Sequence, residues 1–494
     1  MQRTVSVNIA ALMAFCGLLI TAFTAVNIFS GPLGIAVTCF AVTMLFFVNL
    51  TSSVIFLLIC IIFQNLLYTF LSPFISTKAD LTLLQGVHFA IIAIIGTLSL
   101  AVVALKGILD RKTLLYILAT LAILCVYGAI GTSRSSFSSA ASYFRYYANG
   151  IFLFCIGALF GEKHPFEYLV RILYRLLLVS LFICLLELLL DNAWYEFSSS
   201  YEFLKVKYVD WEFGTDVSQW LHFRFMNLPG IHDIYSRRLL GTVMHHVSQS
   251  YLLSLLALIA VYLRRHALAA LVLLLAVVTG VKGAIITTFF AFALVGCRRA
   301  LGQRHFPLSF ALLAGYVVAA VIYGTAVKDW HVIGLTTSLK MFPQHPLGNG
   351  LGLGGNLSQQ YMLIKKFGMP GWSAWQDLGR ADFALESGLG VLLYQVGVFA
   401  GVFVAFYRRV AVELHRLLET AGGALREYVF ILALVVILVN SLFQEEAFSP
   451  YASGLLFLLA GCQYQALARR GREEPAAQHS PNPHPAAAPE GTRP

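Results

Sequence analysis

Residues 264–299 read RRHALAALVLLLAVVTGVKGAIITTFFAFALVGCRR. Basic pairs, Arg264/Arg265 and Arg298/Arg299, close the apolar stretch 267–296 at both ends, and Lys and Arg beside membrane spans stay on the cytoplasmic side. A single helix would carry the two pairs to opposite sides. About thirty residues at 1.5 Å each make about 45 Å, too long for one crossing and too short for two. The middle, Thr279-Gly280-Val281-Lys282-Gly283-Ala284, interrupts the run with two glycines and a lysine. The stretch therefore reads as two short helices meeting at an outward turn, with both ends cytoplasmic. A broken helix is tolerated at membrane depth only where it lines a cavity, and an ionisable residue there is costly unless it meets water or a partner. Lys282 thus marks a polar cavity open to the outer face, and its ammonium suits an anion.

The rest of the chain agrees with that setting. It has 494 residues, 59% hydrophobic and 12% charged, with a mean hydropathy of +0.77, whereas soluble domains carry roughly 25% charged residues. A soluble globular protein is excluded. Further apolar runs with helical spacing lie at 8–28, 32–50, 53–72, 86–105, 113–131, 144–160, 168–190, 239–263, 306–327, 386–407, 428–444 and 449–467. The fold class is all-α: a polytopic helical membrane protein with about 12–14 transmembrane segments over residues 1–470. The first run continues almost at once into a second, which favours a retained span over a cleaved signal peptide. With Arg3 inside, the clusters at Lys106/Arg111/Lys112, Lys163/Arg171, Arg304, Arg408/Arg409/Arg416 and Arg469/Arg470/Arg472 all fall on the same side. The net charge of +10 is thereby sorted by membrane side, so membrane lipids are expected partners and nucleic acid is not. The eight cysteines lie in or at the ends of apolar runs, which implies no disulfide framework and no metal site.

Two long polar loops, 191–238 and 328–385, fall outside. They hold all six tryptophans: Trp194, Trp211, Trp220, Trp330, Trp372 and Trp375. These residues suit either an aromatic interfacial belt or platforms for sugar rings. Residues 471–494 are rich in Pro and Ala and read as a disordered cytoplasmic tail.

The densest polar segment runs from the first loop into a helix and contains Arg237, Arg238, His245 and His246. Arginine's planar fork holds phosphate oxygens in pairs. The histidines, two turns further in, read either as interhelical hydrogen bonders or as cavity groups. Arg145, opening a helix, is a further anion ligand or an interfacial anchor. In the second loop, His345-Pro346-Leu347-Gly348 is followed by Gly350, Gly352 and Gly355, a G-x-G-x-x-G without the βαβ unit of a dinucleotide site. It reads as a flexible loop or as backbone able to offer N–H groups to an oxyanion. Glu386, near Arg380 and at the mouth of an apolar helix, is either a charge favoured at a helix N-terminus or a general base. Arg175 and Glu187 share one span about 18 Å apart and are expected to turn to opposite faces. The Glu445-Glu446 turn is expected to be simple outer topology.

These pieces resemble the superfamily of O-antigen ligases and Wzy-type O-antigen polymerases. The resemblance rests on Arg145, on Arg238-Leu239-Leu240-Gly241 followed by His245, on Lys282-Gly283-Ala284, and on His345-Pro346-Leu347-Gly348 with Gly350 and Gly352. It covers residues 140–407. Glu386-Ser387, then nine residues and Gly397, keep a ligase spacing with Glu in place of His, and Lys282 stands where many relatives have Arg. The R-x10-G repeats described for some polymerases are not found. The resemblance implies a GT-C-like membrane fold and a metal-independent glycosyltransferase without cofactor in a bacterial inner membrane, its active site facing the periplasm. Its donor would be an undecaprenyl-diphosphate-linked oligosaccharide and its acceptor a glycan or lipid A core. On that reading Arg145, Arg237, Arg238 and Lys282 bind diphosphate and Glu386 or His345 takes the acceptor proton, with His245, His246 and Arg380 nearby. A polysaccharide polymerase is the first expectation and an O-antigen ligase the second. A secondary transporter or lipid flippase is the third, although such proteins usually carry repeated halves and a midplane site.

Overall fold

The computed structural model describes residues 9–207, 222–224, 235–327, 329–358 and 386–478. The chain forms a multi-pass helical membrane protein. Among the described residues, seven helices are long and apolar enough to cross a membrane, and four shorter apolar helices accompany them. α1 (Ile9–Ser30), α2 (Pro32–Val48), α3 (Leu50–Phe70), α4 (Lys78–Leu105), α5 (Arg111–Arg134), α6 (Phe137–Lys163) and α7 (Phe166–Leu190) follow one another through short connections. Side-chain caps set several starts. Asn49 accepts from Thr51 and Ser52, Asp110 from Lys112 and Thr113, and Ser136 from Ser139, each satisfying amides that a helix leaves open.

The first long loop carries α8 (Asn192–Phe197), α9 (Ser200–Lys207) and a two-stranded antiparallel pairing of β1 (His222–Arg224) with β2 (Tyr235–Arg237), register His222 to Arg237. Then come α10 (His246–Tyr262), α11 (His266–Val278), α12 (Lys282–Leu301), α13 (Phe306–Ala326), α14 (Trp330–Met341), α15 (Gly388–Val396), α16 (Ala400–Thr420), α17 (Val429–Asn440) and α18 (Leu455–Gln478). α18 continues past Gly471, where the sequence suggested a disordered tail; residues 479–494 lie outside the described residues. Arg380 and the tryptophans at 211, 220, 372 and 375 also lie outside them.

The interrupted stretch is a helical hairpin. Gly280 makes the turn at φ 70°, and its N–H donates to the Val277 carbonyl at 2.9 Å. Both ends reach the same face. Arg426 lies over the Tyr262 ring, next to the start of α11, and Arg298 at the end of α12 lies over the Tyr428 ring. Arg426 and Tyr428 belong to one short turn, Leu425–Tyr428. Arg298 also pairs with Glu419, and Arg470 with Glu427. We call this the basic face.

α6 and α18 form the spine of the core. A Cβ on Gly157 would sit 2.0 Å from the Leu458 carbonyl, and one on Gly461 2.1 Å from that of Phe154. Small residues permit this backbone approach, the usual route to tight helix packing in lipid.

Residues 346–353 form a strap rather than a ligand cradle. The N–H groups of Asn349 and Gly350 donate to the Gln395 carbonyl and that of Leu351 to Tyr127, so these amides are committed to the protein itself. Gly350 and Gly352 have φ of 105° and 93°, and a Cβ on either would lie 2.7 Å from the backbone of Gly131 or Ala140. The alternating glycines are required by this close approach. At its start, Pro346 to Gly348, the strap meets Gly397, where the run expected at 386–407 is broken into α15 and α16.

Candidate functional site

The end of the bundle opposite the basic face gathers its polar groups around the turn Gln444-Glu445-Glu446, which links α17 to α18. The turn had read as simple topology. Its central residue, Glu445, is instead buried, and the turn is surrounded by hydrogen-bond donors. Glu445 is 7% exposed; Tyr143 donates to its Oε1 at 2.6 Å and the Asn356 N–H to its Oε2 at 3.2 Å. Tyr146 donates to the Glu445 carbonyl at 2.8 Å and lies 3.1 Å from Glu446 Oε2. Burial pushes the Glu445 carboxyl up to about 8, reinforced by Glu386 and Glu446 and opposed by its two donors. Burial also raises Glu446, against hydrogen bonds from Ser248, Ser449 and Tyr146 and the charge of Lys207. The protein interior solvates a carboxylate worse than bulk water does, so the neutral form gains.

One wall is cationic. Glu446 Oε1 accepts from Ser248 Oγ at 2.6 Å, and Ser248 Oγ lies 2.8 Å from His245 Nδ1. A proton moved along this line interchanges donor and acceptor at each group, with the imidazole tautomer following. His246 stacks obliquely on His245 with ring centroids 5.4 Å apart. Arg238 and Lys207 lie close enough to act on both histidines. Lys207 donates to the Met244 carbonyl at 2.8 Å, and burial pulls its ammonium down to about 8.

Glu187 holds this wall in place. The residue expected to snorkel away is 1% exposed; it accepts from the Leu240 and Gly241 amides at 2.8 and 2.7 Å and from the Tyr195 hydroxyl. Local donors keep the carboxylate inside, because they replace its water more cheaply than a reach to the interface. Gly241 needs φ 54° there, and a Cβ would strike the Gln249 side chain at 2.3 Å. This clamp fixes the backbone immediately after Arg238.

The opposite wall is more accessible. Lys282 Nζ lies 4.0 Å from Asp329, with the two side chains 39% and 24% exposed. His331 Nδ1 lies 3.6 Å from Glu386 Oε2, these being 31% and 28% exposed. Gln444 Nε2 approaches His331 Nε2 at 3.4 Å, which ties this wall to the central turn. Ser387, not Glu386, caps α15 by accepting from the Gly390 amide at 2.9 Å. His331 Nδ1 also lies 3.0 Å from the Glu386 carbonyl oxygen, nearer than to the carboxylate. Gly283, beside Lys282, is backed by the Tyr251 hydroxyl and Gln444, and Asn440 donates to its carbonyl at 3.1 Å.

The expected residues are therefore distributed as follows. Arg238, His245 and His246 share one wall, Lys282 and Glu386 the other. Arg237 is on β2, and its side chain lies outside the described residues. His345 is exposed at the start of the strap, whose neighbours are α5 and the α15–α16 junction. Arg145 stands between Phe144 and Tyr146 on α6 and, with Phe144, lines a groove against α4. Reasoning from sequence missed Lys207, Ser248, His331, Glu445 and Glu446. The adjacent carboxylates between two apolar runs were a usable signal, since buried paired acids need partners; Lys207 and His331 had none.

In comparisons with known proteins, the sequence matches no family model and no curated protein.

Proposed function

We propose that this protein is a polysaccharide polymerase, transferring glycan from undecaprenyl diphosphate to an acceptor sugar hydroxyl at the periplasmic face of a bacterial inner membrane. The observation that carries this reading is the pairing of a cationic wall, Arg238 with Lys207, and an accessible acid, Glu386, across one buried turn at the end of the bundle away from the basic clusters. Glycosyl transfer from a lipid diphosphate asks for both. The acceptor oxygen forms a bond to the anomeric carbon as the bond from that carbon to the diphosphate oxygen breaks, and its electron pair leaves on the phosphate. Preorganised cations stabilise that charge most effectively, a role suited to Arg238, Lys207 and Lys282. The acceptor's proton goes to Glu386, oriented by His331. Glu445 and Glu446 hold the walls together. Diphosphate is already a good leaving group, so no nucleotide enters the scheme.

The test uses detergent-purified protein supplied with a short lipid-diphosphate oligosaccharide. Extension of the glycan is expected, and Arg238→Ala and Lys282→Ala should lower it at least 100-fold while the protein still inserts and melts normally. Removing one such donor to developing charge typically costs about 10²–10³ in rate. Glu386→Gln should slow turnover while donor still binds. In cells, loss of function should leave single lipid-linked repeats. Long chains held on the carrier lipid would instead identify an O-antigen ligase, the reading favoured by the Glu386-Ser387 to Gly397 spacing. Normal glycan length in both cation variants would defeat the proposal.

A further inference from the structure

Across α6 from the polar site, a groove of about 1100 Å³ runs between α4, α5 and α6. Its lining changes with depth. Lys78, Thr82, Ser138 and Ser142 lie toward the helix ends, and Phe89 and Cys125 lie deeper. From Lys78 to Ala90 the α4 wall covers about 18 Å. Arg145 sits where the two zones meet, one residue inside the start of the apolar run of α6. Among the described residues no carboxylate lines the groove and none forms an ion pair with Arg145; its electrostatic neighbours are Tyr146, Tyr451 and His88. A guanidinium at that depth is costly without an anion, and an interfacial groove with a polar mouth and an apolar floor has the profile of a phosphate head above hydrocarbon chains.

We propose that this groove binds one anionic phospholipid of the adjacent leaflet, its phosphate on Arg145, its headgroup toward Lys78 and the serines, and its chains along Phe89 and Cys125. The site is separate from the glycan site. Tyr146 turns its hydroxyl to the Glu445-Glu446 turn while Arg145, the preceding residue, turns to the groove. The bound lipid packs on the helix that carries Tyr143 and Tyr146, and it does not depend on what reaction they serve.

Detergent-purified protein should be titrated with phosphatidylglycerol or phosphatidylcholine of matched chains and the bound lipids counted by native mass spectrometry. One phosphatidylglycerol should bind at least tenfold more tightly than phosphatidylcholine. Arg145→Gln should remove that preference, a loss of about tenfold for one charge-assisted contact. Gly86 lines the groove and a Cβ there meets open space, so Gly86→Phe should fill the groove and abolish retention of either lipid without lowering the melting temperature. Equal binding of the two lipids, or binding unchanged in both variants, overturns the proposal. So does undecaprenyl phosphate, added as a third arm, displacing phosphatidylglycerol at equal concentration in an Arg145-dependent way.

Discussion

Exchanging Glu187 for alanine should release the segment that carries Arg238 into the site. The carboxylate is buried and accepts from two backbone amides and a tyrosine hydroxyl, so its removal leaves Leu240 and Gly241 N–H groups without a partner in a dry setting. Breaking a buried charged network of this kind costs about 3–5 kcal/mol. Hydrogen exchange at residues 239–243 is the direct readout, and protection should fall by about 100-fold or more, local opening being governed by the lost free energy. Glu187→Gln keeps the shape and one acceptor oxygen but turns an NH₂ toward a backbone N–H, so an intermediate loss is expected. On the proposed function, glycan transfer should fall with Arg238 out of register, in both variants and in the same order. Unchanged protection in Glu187→Ala would mean that the wall is held by other contacts.

The second large effect is on stability against pH. Glu445 has its folded pKa raised from 4.5 to about 8, so between those values the folded state keeps a proton that the unfolded chain has lost. Stability therefore falls as pH rises from about 4.5 to 8, by up to about 1.4 kcal/mol per unit for one group. Glu446 is shifted in the same direction and adds to the slope. Lys207 acts oppositely. Its folded pKa is lowered from 10.5 to about 8, so above pH 8 the unfolded chain binds the extra proton and stability rises again toward 10.5. His245 and His246, both held below 6.5 by burial, oppose the fall at pH values under 6.5, so melting temperatures measured from pH 6.5 to 10 in one detergent should pass through a minimum near pH 8. Glu445→Gln should lessen the acid-side fall, and Glu445→Gln with Glu446→Gln should flatten it. A pH profile unchanged by Glu445→Gln would show that Glu445 is ionised in place.

Legibility followed the range of the forces. Helix positions were readable because a bilayer demands long apolar runs and internally bonded backbone, which makes the pattern local and strong. The hairpin at 266–301 was readable for the same reason: two basic ends and a glycine turn leave few arrangements that keep charge out of lipid. Ser387 as cap and Glu386 as the acid beside His331 could not be separated on sequence, since either residue suits a helix start; the register of α15 decided it.

The amino-acid order alone settled that this chain is a multi-pass helical protein and where most of its long apolar helices run. Those properties depend on hydrophobicity and charge residue by residue, summed over neighbours in the chain. Folding in three dimensions decided that Glu445 is buried with Glu446 hydrogen-bonded beside it, that Glu187 clamps the backbone after Arg238, and that the glycine series is a strap whose amides bond the protein. Each of these depends on donors brought from distant helices, and a carboxylate's choice between water and the interior turns on whether those donors arrive.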